Sequence, residues 1–190
     1  LSVYDVLLES ASVAEARRRS PQGGYDVLGA NRELAGAEVE LVGLERRNER
    51  LRDALAAASA DHDFVLIDCP PSLSLLTLNG LCSANGVFVP MQCEYFAREG
   101  LSDLVNPIKQ VHANLNRQLI IIGLLRVMYD PRITLQQQVS EQLSKHFGDK
   151  VFNTVIPRNV RLAEAPSFGQ PAIALDRACK GSQAYLQLAA

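Results

Sequence analysis

The stretch DHDFVLIDCPPSLSLLTLNGL, residues 61–81, decides the fold. Four apolar residues, Phe64 to Ile67, run straight into Asp68, and Pro70 and Pro71 follow almost at once. A short apolar run without alternation predicts a strand covered on both faces, as in a parallel sheet flanked by helices. The prolines remove two backbone donors and stiffen the turn, so the chain presents the acid on a non-helical segment before the helix that carries Leu75, Leu76 and Leu78.

Working outward, three further apolar runs read as strands: GVFVP from Gly86, LIIIGLLRVM from Leu119 and KVFNTVI from Lys150. YDVLGAN, from Tyr25, reads as a short strand entering a loop, and Arg17 to Arg19 with Pro21, Gly23 and Gly24 mark an exposed connection. Leu51, Leu55 and Ala58 recur at helical spacing within residues 45–60. A second stripe runs through Leu101, Leu104, Val105, Ile108, Val111 and Leu115, where Asn106–Pro107 must kink the helix or restart it with Asn106 as cap. Thr134 and Gln137 form a capping-box signature; Leu135, Val139, Leu143 and Phe147 line one face, and Gly148 supplies a stop. Strands alternating with helices predict an α/β doubly wound, mostly parallel sheet flanked by helices, in a single domain over residues 1–190.

With 190 residues and 47% apolar content the chain can bury one sizeable core. It has no run near the roughly 18 apolar residues of a membrane span and no basic-then-apolar start, so a cytoplasmic location is expected. Cys69, Cys82, Cys93 and Cys179 form no C-x-x-C and His62, His112 and His146 are scattered, which argues against a zinc or disulfide framework. The net charge of -2 excludes a generally basic nucleic-acid coat, but its distribution is uneven. Residues 1–115 carry 10 Lys+Arg against 16 Asp+Glu; residues 116–190 carry 9 against 5, which permits a local basic face there.

In an open parallel sheet, ligands gather beyond the carboxyl ends of the strands, where Asp68 is expected. An acid held there suits a Walker B role, bonding a magnesium-bound water. Together with LAGAEVELV, VFVPMQCEYFAREGL, VMYDPR, VIPRNVRLAEAPSFGQP and KGSQAY, the opening stretch resembles the ParA/Soj family of chromosome- and plasmid-partition ATPases. The resemblance runs from about residue 25 to the end of the chain, in unbroken order.

It implies an ATP- and Mg2+-dependent switch, in which a homodimer sandwiches two nucleotides, binds DNA nonspecifically on the nucleoid and is stimulated by a ParB-like partner. Carried over by position, Asp68 matches the Walker B acid, which holds magnesium through water. Met128, Pro157 and Asn159 fall where family members line the adenine pocket, and Arg132 and Arg161 match DNA-binding arginines. An exposed arginine neutralises a phosphate without reading sequence. Arg126 stands where the family more often has a small or polar residue, and its charge either aids phosphate or DNA contacts or disturbs the base pocket.

Phosphate chemistry also needs a cradle, and no G-x-x-x-x-G-K-[ST] occurs here; CKGSQAY lacks the preceding glycine. The resemblance places the family's P-loop before the segment matching SVYDVLLES, and the chain is expected to show little or no ATPase activity by itself and to be poorly stable, with an unpaired sheet edge. Its alternative is a non-enzymatic pseudo-ATPase binding module. A MinD-like membrane-bound relative is disfavoured because KGSQAYLQLAA is too short and too nearly neutral for an amphipathic membrane helix, and a dehydrogenase because no G-x-G-x-x-G follows a strand.

Overall fold

The computed structural model describes residues 1–70, Ser72, and residues 74–94 and 97–190, with side chains described outside Ser59 and residues 97–104. Pro71 and the side chains of Leu101 and Leu104 therefore lie outside the described set. Leu1–Ser20, Gly24–Gly86 and Asn106–Ile120 form one compact unit; Pro21–Gly23, Val87–Val105 and Ile121–Ala190 form the other.

In the first unit, α1 (Val3–Leu7) and α2 (Val13–Ala16) each open on a capping box, Ser2 with Asp5 and Ser12 with Glu15. These reciprocal bonds satisfy amide groups that such short helices would otherwise leave orphaned. Tyr25-Asp-Val shrinks to the two-residue β2 (Asp26–Val27), paired antiparallel with β1 (Arg18–Arg19). Helices α3 (Leu34–Val42), α4 (Arg50–Ala58) and α5 (Leu75–Ser83) follow. Leu7, Ala37, Leu41 and Leu51 make the core, with Leu55, Ile67, Leu75 and Leu76 packed against it. Buried Asn79 locks α5 to the entry of α4: its Oδ1 accepts the Leu51 N–H (3.1 Å) and its Nδ2 donates to the Arg47 carbonyl (2.7 Å).

The expected strand at Phe64–Ile67 is not formed. Among the described residues no strand pairs with it, and a segment becomes a strand only when a neighbour takes up its backbone donors and acceptors. Ile67 reaches the core, whereas Phe64 and Leu66 stand 87% and 88% exposed.

In the second unit β3 (Gly86–Gln92), β4 (Ile120–Tyr129) and β5 (Val151–Pro157) form a sheet in that order, with β4 and β5 parallel. The α6 helix (Ala97–Asn114) passes through Pro107 without restarting; its buried Ile108 and Val111 belong to the first unit. The Thr134 capping box does not form. Helix α7 (Thr134–Phe147) takes Ile133 as its cap, and the Gln137 side-chain amide turns outward to the Pro131 carbonyl. Gly148, at φ 53°, ends it as expected. Short α8 (Val160–Glu164) and α9 (Ala172–Leu175) lead to α10 (Lys180–Ala189). A Cβ on Gly181 would fall 2.5 Å from Leu162 Cγ, so only glycine lets α10 seat directly against α8. No helix among the described residues is long and apolar enough to cross a membrane.

Candidate functional site

Asp68 follows Ile67, whose side chain is anchored in the first unit's core, and its own carboxylate is exposed. Among the described residues it has no hydrogen-bond or ion-pair partner, which leaves both oxygens available to a ligand. The neighbouring Cys69 thiol is pushed up, first by burial and then by the Asp68 charge, so it stays a protonated spacer. Gly80 on α5 makes the close approach possible: a Cβ there would meet Cys69 Sγ at 2.7 Å and Ile67 Cγ2 at 3.5 Å. Gly80→Ala is therefore expected to push the Ile67–Cys69 segment off α5 while leaving the helix intact. Alkylation of Cys69 by a thiol reagent should then quicken severalfold, and an unchanged rate with unchanged circular dichroism would show the contact to be slack.

The second unit brings Met128, Pro157 and Asn159 to the carboxyl ends of two adjacent parallel strands. Tyr129 is paired with Pro157, and the Arg158 N–H donates to the Tyr129 carbonyl (3.3 Å). The ladder here is irregular. From Leu124 to Arg126 β4 advances two residues while β5 advances four, from Val151 to Val155; from Arg126 to Tyr129 β4 advances three against two. Such bulges re-aim side chains at strand ends. Met128 sits in the second, at φ 52°, a left-handed conformation that costs a non-glycine residue about 1 kcal/mol.

Arg126 answers the first bulge. Its Nη2 donates to the Phe152 and Asn153 carbonyls (2.7 and 3.2 Å) and its Nη1 to Ser140 Oγ on α7 (2.7 Å), while Nε is buried without a partner among the described residues. The guanidinium is thus spent on the joint between β4, β5 and α7. Asn159 caps α8, its Oδ1 accepting the Arg161 N–H (2.9 Å), which leaves its Nδ2 as the donor free for a ligand.

Arg132 and Arg161 are both exposed and both paired with acids. Arg132 forks onto Asp130 through Nε (2.9 Å) and Nη2 (2.7 Å), and these bonds, ahead of the Arg132 backbone N–H, hold the Asp130 carboxyl down at about 2. Arg161 meets Glu164 at 3.0 Å and Asp176 at 3.6 Å. Sequence reasoning missed two neighbours. Asp130 lies two residues before Arg132, the spacing of an Asx turn, and that spacing could have revealed it. Arg158, whose charge also acts on Asp130, gave no signal beyond its place between Pro157 and Asn159.

A family model described as an AAA domain matches residues 1–121. The chromosome partitioning protein ParA of Caulobacter vibrioides is 50% identical over 190 residues, covering 99% of this chain and 71% of that protein. The chain belongs to the ParA/Soj family of partitioning ATPases. Another member, the sporulation initiation inhibitor protein Soj of Bacillus subtilis, is 48% identical, covering 98% of this chain and 74% of Soj. Among solved structures, cobyrinic acid a,c-diamide synthase from Mycobacterium smegmatis, with bound ATP analogue and magnesium, superposes with a TM-score of 0.87 at 36% identity, covering 100% of this chain and 70% of that one. The fold is accordingly that of the P-loop ATPases, and the parallel β4–β5 pair flanked by helices agrees with it.

That neighbour holds a nucleotide analogue with magnesium. The unpartnered Asp68 carboxylate suits a metal-bound water. Met128, half-exposed beside Pro157, suits an apolar base face. No G-x-x-x-x-G-K-[ST] phosphate cradle occurs in the 190 residues.

Proposed function

We propose that this chain serves ATP-switched DNA partitioning: a nucleotide-bound homodimer that holds nonspecific DNA and is released by a ParB-like partner. The observation that carries it is the placement of Arg132 and Arg161, both solvent-facing on the second unit, in a chain half identical to a chromosome partitioning protein. Exposed guanidinium groups neutralise phosphates without reading bases, which is what sequence-independent binding requires. Bound nucleotide supplies the switch: Asp68 would hold magnesium through water, and Met128, Pro157 and the Asn159 amide would receive the base. Cytoplasmic placement on the nucleoid follows from that role.

Arg132→Glu and Arg161→Glu are each expected to weaken binding to unrelated duplexes about equally, by about tenfold near 0.1 M salt, and to flatten the salt dependence by about one to two units of slope. Fluorescence anisotropy on two duplexes of different sequence measures both quantities. Unchanged affinity in both variants would remove these arginines from the DNA surface.

A further inference from the structure

The two arginines offered to DNA are both already engaged, and at Arg132 the engagement uses one of the two edges that a phosphate could take. Asp130 Oδ1 accepts the Arg132 backbone N–H (3.0 Å) and Nε (2.9 Å), and Oδ2 accepts Nη2 (2.7 Å). The Nε–Nη2 edge is one of the paired donor edges by which a guanidinium grips a phosphate bidentately, so carboxylate and phosphate compete for it. The acid is the fixed member of the pair. Its backbone N–H donates to the buried Gln136 (2.7 Å), and its side chain is 17% exposed against 88% for Arg132. An ion pair with one partner so open to solvent exchanges readily.

We infer that Asp130 acts as a built-in phosphate mimic, masking Arg132 until a DNA phosphate displaces it and so setting the affinity and salt threshold of DNA binding. The inference rests on the DNA reading above, deepening it. Arg161 is also paired, but singly and with more exposed acids: Nη1 meets Glu164 at 3.0 Å and Nε meets Asp176 at 3.6 Å. Arg158, the other cation acting on Asp130, faces less opposing charge only when that carboxylate is neutralised, as in D130N.

Asp130→Asn tests this with little disturbance, because an asparagine Oδ1 still accepts the Arg132 N–H that shapes the turn. In anisotropy titrations of the whole chain, with ATP and Mg2+ present, against a random-sequence duplex from 50 to 200 mM salt, D130N should bind about fivefold tighter and with a slope steeper by about one. The D130N/R132Q double variant should keep less than half of that gain. Glu141→Gln, which removes an exposed acid of α7 with no ion-pair partner among the described residues, should gain much less. If R132Q weakens binding while D130N binds no tighter, or no tighter than E141Q, the mask is overturned and the DNA reading stands. If R132Q binds as the unaltered chain does, or no chain binds duplex at 50 mM salt, both fall together.

Discussion

Replacing Arg126 with alanine is expected to destabilise the chain by about 2–3 kcal/mol, moving its urea midpoint down by about 1 M. The cost comes from what the guanidinium leaves behind. Its bonds go to the Phe152 and Asn153 carbonyls, at the point where the β4–β5 ladder loses register, and to Ser140 on α7. Without it, the Phe152 carbonyl and the 6%-exposed Ser140 hydroxyl lose a charged donor that water replaces poorly. Arg126→Lys separates charge from geometry: an ammonium keeps the positive charge but lacks the planar fork that spans two carbonyls, so it should recover less than half of the loss. A midpoint unchanged in R126A would mean that the bulge holds itself together. Since Met128 lies two residues on, in its left-handed conformation, the same variant should shift the Met128 methyl resonance.

The second large effect is expected at Phe64 and Leu66. Both project into solvent from a segment paired with no described strand, and an apolar unpaired edge invites association. The chain should bind the dye ANS strongly and precipitate at modest concentration. Phe64→Lys with Leu66→Lys should remove most of the dye fluorescence and raise the solubility limit severalfold, with the far-ultraviolet circular dichroism unchanged, because neither side chain contributes to the buried core. Equal dye binding by the double variant would place the sticky surface elsewhere.

The sheet of the second unit is legible because β3, β4 and β5 coincide with mostly apolar runs, broken only at Arg126 in β4, at Asn153 and Thr154 in β5 and at the Gln92 end of β3. Phe64–Ile67 carries the same signal and formed no ladder, since periodicity reports what a segment could bury and not whether a partner strand meets it. The Thr134–Gln137 spacing misled for a related reason: a capping box competes with other bonds, and Gln137 found the Pro131 carbonyl. Asn106–Pro107 predicts a kink or a restart, and of the two the restart does not occur, since the helix runs on through Pro107.

At the site, position by resemblance brought Met128, Pro157 and Asn159 to one pair of strand ends, which spacing alone did not specify. What no pattern disclosed was how each charge is spent. Arg126 looked available and is consumed by two carbonyls and a serine; Arg132 looked free and is forked onto Asp130. Both outcomes depend on local register and turn geometry, which a linear string of residues does not encode directly.

The seating of α10 against α8 gives the Arg161 position a mechanical character. A helix of five residues has little strength of its own, being barely longer than its nucleus. Yet Leu162, the residue after Arg161, bears on the bare backbone at Gly181, and the ten-residue α10 stands behind it. A pull on Arg161 is therefore carried into the longer helix as a compressive or shearing load before α8 can unwind. The small helix is only the fitting at the surface, and its strength is that of the beam to which it is bolted.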